Sequence, residues 1–136
     1  WYVTGVQLEA GTASDFEFLP HDINKYRCQR YYHLLSNTNY KDVGVGGYYN
    51  STQIFVNVQL PTCMRSAPTL DQVTGSNHYS IYRQGTADDF NSLTIGVATE
   101  NLVSLYNNTE VTGTGGDAGF VRTNDNSPYI AFTSEL

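Results

Sequence analysis

The sequence predicts an all-β domain, an antiparallel β-sandwich of jelly-roll type with one short N-terminal linking helix. Three observations carry that prediction. Eleven Tyr and twelve Gly among 136 residues, with many Asn, Ser and Thr, favour strands and turns over helices. Short apolar runs recur at regular spacing, each bounded by turn-forming residues. One run, "TQIFVNVQL", alternates strictly, with Ile54, Val56 and Val58 on one side and Phe55, Asn57 and Gln59 on the other.

Taken in order, residues 2 to 9 alternate imperfectly, with Tyr2, Val3, Val6 and Leu8 among polar residues, and predict a strand. The turn "AGTAS" and an extended piece around Phe16 and Phe18 follow, closed by Pro20. Asp22 is a helix-capping residue type, and Ile23, Tyr26, Arg27, Arg30 and Tyr31 recur at three-and-four spacing, so a helix of about two turns is expected there. "YYHLLSN" then reads as a strand, and "NTNYKDVGVGGYYNST", with three adjacent or near-adjacent glycines among turn formers, as a loop or hairpin tip. Pro61 and Pro68 make "PTCMRSAP" a corner, because proline has no amide to give a ladder. Further strands are expected at "HYSIYRQ", "SLTIGVA", "LVSLYNN", "AGFVRTN" and "PYIAFTSEL", and a single mobile loop at "NNTEVTGTGGDAG".

Composition narrows function. A net charge of -6 repels phosphate backbones and anionic lipid, so nucleic acid is not an expected partner. No apolar run approaches a membrane span, and membrane insertion is not expected. Two cysteines, Cys28 and Cys63, in a chain large enough to fold without bridges read as small buried hydrophobes. Three scattered histidines give no zinc spacing, and neither metal nor cofactor is expected. No G-x-S-x-G elbow, H-E-x-x-H helix or phosphate-cradling Gly-Lys loop occurs, and the adjacent pair Asp88 and Asp89 in "QGTADDFNS" reads as a solvated turn. The chain is therefore not expected to be an enzyme.

The stretch "GVQLEAGTASDFEFLPHDINKYRCQRYY" resembles a junction in bacteriophage tail-fibre and minor virion proteins, where a V-Q-L-E-x-G strand ends an upstream module and a C-Q-R-Y-Y segment opens the C-terminal one. "VQLPTCMRSAPTL" resembles the M-R-x-x-P-T segment of that module, and "SPYIAFTSEL" its closing strand, in the same order along the chain. The resemblance implies residues 1–20 as strand and linker from the end of an upstream fibre module, and residues 21–136 as a C-terminal sandwich. It implies a homotrimer exposed on the virion that attaches to a bacterial surface glycan or outer-membrane receptor. A purely structural trimerisation or capping role is the alternative, and a glycan depolymerase a more distant one. The matching positions Cys28, Gln29, Arg30, Tyr31, Tyr32, Met64, Arg65, Pro68, Thr69, Glu135 and Leu136 are expected to pack and link, with Arg27 and Arg30 placed to pair with acidic neighbours.

A glycan site requires exposed aromatic faces for sugar C–H groups with amides or carboxylates beside them. Three stretches meet that description: Tyr48, Tyr49 and Asn50; Asn77, His78 and Tyr79; and Tyr106, Asn107 and Asn108.

Overall fold

The computed structural model describes residues 10–12, 15, 18–124 and 129–134. The strand expected at residues 2–9, the position Phe16 and the terminal Glu135 and Leu136 lie outside the described residues. Among the described residues a single helix, α1 (His21–Gln29), leads into β1 (Tyr32–Ser36), β2 (Asp42–Asn50), β3 (Gln53–Gln59) and β4 (Thr69–Gln72). The chain then returns through β5 (Tyr79–Arg83), β6 (Thr86–Phe90), β7 (Thr94–Ala98), β8 (Leu102–Asn107), β9 (Ala118–Thr123) and β10 (Ile130–Thr133).

Among the described residues all ladders are antiparallel, and they form a three-stranded sheet, β1-β10-β4, and a seven-stranded sheet, β6-β5-β9-β2-β3-β8-β7. The pairing has a simple logic. The first half of the chain lies against the second half in reverse: β1 with β10, β2 with β9, β3 with β8 and β5 with β6, while β4 runs beside β7 at the seam between the sheets. A long hairpin rolled onto itself in this way is the jelly-roll winding of an antiparallel sandwich.

The roll also curves the larger sheet. Its two edge strands, β6 and β7, are joined by residues 91–93 alone. Four Cα steps reach about 14 Å, whereas seven flat strands span about 29 Å, so the sheet curls and its inner face closes on a core. Ile54, Val56, Val58, Ile81, Val103, Leu105 and Val121 fill that core from the large sheet, and Ile130 and Phe132 from the small one. At the seam, the Gln72 amide substitutes for a ladder: Nε2 donates to the Leu93 carbonyl, and Oε1 accepts the Leu93 amide at 3.1 Å.

The segments that carry the fibre resemblance meet at one end of the small sheet. The Arg30 carbonyl accepts the Arg65 amide and the Ser134 hydroxyl, both at 2.8 Å, and the Tyr31 carbonyl accepts the Ser134 amide. Arg65 lies over the Tyr31 ring, Met64 is buried, and Thr69 pairs with Thr133.

Several sequence expectations require correction. The glycine-rich stretch around residues 44–47 is not a loop but the body of β2, a central strand. Its glycines serve close approach: a Cβ on Gly46 would lie 2.3 Å from the Phe55 carbonyl oxygen. "QGTADDFNS" is not a solvated turn, since Asp88 and Asp89 lie in β6, paired to β5, and the short β4 was not anticipated at all. Helix α1 starts after Pro20 with no side-chain cap, so Asp22 sits in its first turn rather than capping it. None of its residues is buried, and Ile23 and Tyr26 stand in solvent. Arg27 and Arg30 form no ion pair among the described residues, and Cys28 and Cys63 are exposed free thiols rather than buried ones. Hydrogen-bonding of Cys63 Sγ to Glu100 Oε2 raises its pKa. The 108–117 loop, expected to be mobile, is pinned: Val111 is buried, Gly113 N donates to Ser51 O and Gly116 N to Tyr48 O.

Candidate functional site

Alternation along the strands of the large sheet assigns one side chain in two to its outer face. On β3 the buried series Ile54, Val56 and Val58 leaves Phe55, Asn57 and Gln59 outside. On β9, Val121 faces inward and Phe120 and Arg122 outward; on β5, Tyr79 and Ile81 face inward and Ser80 and Tyr82 outward. Register then sets outer residues side by side: Tyr82 pairs with Phe120, Phe120 with Val45, and Phe55 with Tyr106.

The result is an open aromatic surface in two clusters. In the first, Phe55 meets Tyr49 edge-on and Tyr106 at a tilt, each with ring centroids 5.8 Å apart. In the second, Tyr82 and Phe120 stack at 5.5 Å, and Arg122 lies 3.4 Å over the Tyr82 ring. Between them runs β2, where Val45 is 76% exposed and Gly46 and Gly47 add no bulk. Tyr49 is 73% exposed and Val97 65%. Contiguous exposed apolar surface of this kind on a soluble domain marks a contact surface for a partner or ligand.

The residues nominated from sequence divide sharply. Tyr49 and Tyr106 belong to this surface, and Asn50 and Asn108 stand exposed beside it, at the ends of β2 and β8. Of the others, Tyr48, Tyr79 and Asn107 are buried, whereas Asn77 is exposed and His78 half-buried. Tyr79 is in the core, stacked on Phe90, and its hydroxyl donates to the Val73 and Tyr129 carbonyls. Asn107 is buried, with Nδ2 donating to Ser92 O and Oδ1 accepting the Thr109 and Glu110 amides. His78 and Asn77 shape the β4–β5 turn, where the Asn77 amide donates to Asn91 Oδ1.

Tyr48 is likewise buried, and it organises a latch. Its hydroxyl donates to Asp88 Oδ2 at 2.5 Å, and the same oxygen accepts the Thr112 amide at 2.7 Å. Arg83 lies 4.5 Å from the centre of the Tyr48 ring, pairs with Asp117 at 2.7 Å and donates to Thr112 O. Burial, then the hydrogen bond to Asp88, pushes the Tyr48 phenol up to about 12, so it stays a neutral donor at ordinary pH. Asp88 and Asp117 are thus both committed to holding the 108–117 loop. Among the described residues no three His, Cys, Asp or Glu side chains gather as a metal site.

Compared with models of known families, with curated proteins and with solved structures, the chain matches none of them.

Sequence reasoning missed Phe55, Val45, Tyr82, Phe120 and Arg122. The available signal was an aromatic residue on the polar side of an alternating strand. Phe55 shares its face with Asn57 and Gln59, a placement that burial does not explain.

Proposed function

We propose that this chain is a β-sandwich module of a bacteriophage tail fibre, exposed on the virion, that attaches to the host-cell surface by binding glycan on the outer face of its large sheet. The observation that carries the reading is the Tyr49–Phe55–Tyr106 cluster. It offers ring faces and edges to sugar C–H groups, with Asn50, Asn57 and Ser104 beside it for hydroxyls. The fibre context rests on the ordered C-Q-R-Y-Y, M-R-x-x-P-T and closing-strand segments, which the fold packs against one another. The reading is non-enzymatic and requires no cofactor, and the commitment of Asp88 and Asp117 to the latch is consistent with it.

A second reading, assembly rather than attachment, draws support from helix α1. Ile23 and Tyr26 are exposed and touch no core, as expected of residues covered by neighbouring fibre chains in a homotrimer.

A glycan array probed with the purified chain, paired with cell adsorption by fibres carrying Tyr49→Ala, tests the proposal. Attachment requires glycan hits and reduced adsorption. Blank arrays with undiminished adsorption contradict it, and light scattering showing a trimer that Tyr26→Ala dissolves would then favour assembly.

A further inference from the structure

The second aromatic cluster contains a charge that the first lacks. Arg122 lies 3.4 Å over the Tyr82 ring and 5.4 Å from the centre of the Tyr40 ring. It forms no ion pair among the described residues, although Asp42 stands opposite it on β2. Asp89 on β6, opposite Ser80, accepts the Asn124 side-chain amide at Oδ1. Two enclosed polar atoms here have no hydrogen-bond partner among the described residues: Arg122 Nε, and the hydroxyl of Ser80, its register neighbour on β5. Enclosed polar atoms without partners are costly and rare, and two adjacent ones beside a guanidinium leave local hydrogen-bonding capacity unused. A guanidinium fixed on aromatic rings is preorganised as a planar fork, the geometry that takes a carboxylate through two parallel hydrogen bonds.

We propose that Arg122, held on Tyr82 and Tyr40, is the position that receives the carboxylate of an acidic saccharide, and that the module selects uronic-acid-bearing glycans over neutral ones. The inference rests on the glycan-binding reading above and sharpens it. Both aromatic clusters lie on the same outer face, separated by the low surface of β2, so an extended chain of sugars can stack on one and anchor a carboxylate at the other. With a net charge of -6 the domain as a whole does not attract polyanions. Selectivity for acidic sugars must therefore come from local donor geometry, which Arg122 supplies.

The test is calorimetry with a hexamer of galacturonic acid, its methyl-esterified neutral counterpart, and poly-glutamate of matched charge. The acid form is expected to bind about tenfold tighter than the ester. Arg122→Gln should bring the acid down to the ester's affinity. Arg122→Lys, which keeps the charge but not the fork, should recover only part of the preference, and a cooperative thermal melt of each variant reports its folding. The inference is overturned if acid and ester bind equally, if poly-glutamate binds as tightly as the acid hexamer, or if Arg122→Gln leaves the preference intact. Loss of both saccharides in Tyr49→Ala, with a preference indifferent to Arg122, would sink the carboxylate position while leaving the aromatic surface standing. Failure of both saccharides to bind the native chain overturns this inference, and the glycan array then decides the broader reading.

Discussion

The two faces of the seven-stranded sheet are made by the same strands and differ in nearly everything else. The inner face is aliphatic and closed: Ile54, Val56, Ile81, Val103, Leu105 and Val121 are fully buried. The outer face is aromatic and open, with Tyr49, Phe120 and Val45 in solvent and Arg122 resting on Tyr82. Aliphatic side chains stabilise by filling volume, so their value is spent once the core closes. Aromatic side chains with polar tips keep a capacity for contact that solvent does not satisfy. The comparison teaches that core packing and exposed aromatic surface are divided between alternate residues of single strands.

Substitution should separate the faces most strongly in the core. Ile54→Ala is expected to cost about 2–5 kcal/mol, whereas Val45→Ala on the outer face should stay within about 0.5 kcal/mol. Urea unfolding of the two variants measures the gap, and equal losses would erase the distinction. Gly46→Val should do at least as much harm as the core truncation, because its Cβ would lie 2.3 Å from the Phe55 carbonyl oxygen and part β2 from β3.

Tyr48 sharpens the comparison at an intermediate scale, since it is an aromatic residue turned to structural use. Tyr48→Phe leaves Asp88 without its phenol donor and should cost about 1–3 kcal/mol. The raised phenol also has a pH consequence. An unfolded tyrosine ionises near pH 10, while the folded Tyr48 holds its proton to about 12. Its contribution is therefore complete below pH 10 and is lost as pH rises from there toward 12. Tyr79, raised by burial, and Tyr129, raised first by its hydrogen bond to Tyr32, act in the same direction. Tyr48→Phe should accordingly flatten the alkaline fall in melting temperature without abolishing it; an unchanged slope would remove Tyr48 from the latch.

The smallest effect is expected at His33. Burial, then the nearby Lys25 charge, lowers its pKa below the ordinary value of 6.5. Below that pH the unfolded chain takes up a proton that folded His33 resists, so stability falls as the solution is acidified. His33→Gln should soften that decline in thermal melts between pH 7 and pH 5, and an identical decline would assign it elsewhere.

Much of the fold was legible because period-two alternation survives wherever one face is buried. β3, β8 and β9 show it, and the sandwich follows from the spacing of such runs. β2 was illegible because its glycines, read as turn formers, meet a packing demand visible only once β3 and β9 lie alongside. β6 was hidden by Asp88 and Asp89, whose polarity suits a sheet edge as well as a turn. Half of the candidate site was hidden for a related reason. Adjacent tyrosines in "GGYYNS" look equivalent in sequence, yet alternation buries Tyr48 and exposes Tyr49. Arg122 meets Tyr82 and Tyr40 only through register and an intervening loop, which no local pattern records.

The central claim is that the outer face recognises and the inner face stabilises. It is tested most directly by measuring glycan binding and thermal unfolding on one double variant, Val45→Ala with Tyr49→Ala. The account expects binding to be lost while the melting temperature stays within a degree or two of the native chain. Undiminished binding, or a collapse of the melt together with binding, would contradict it.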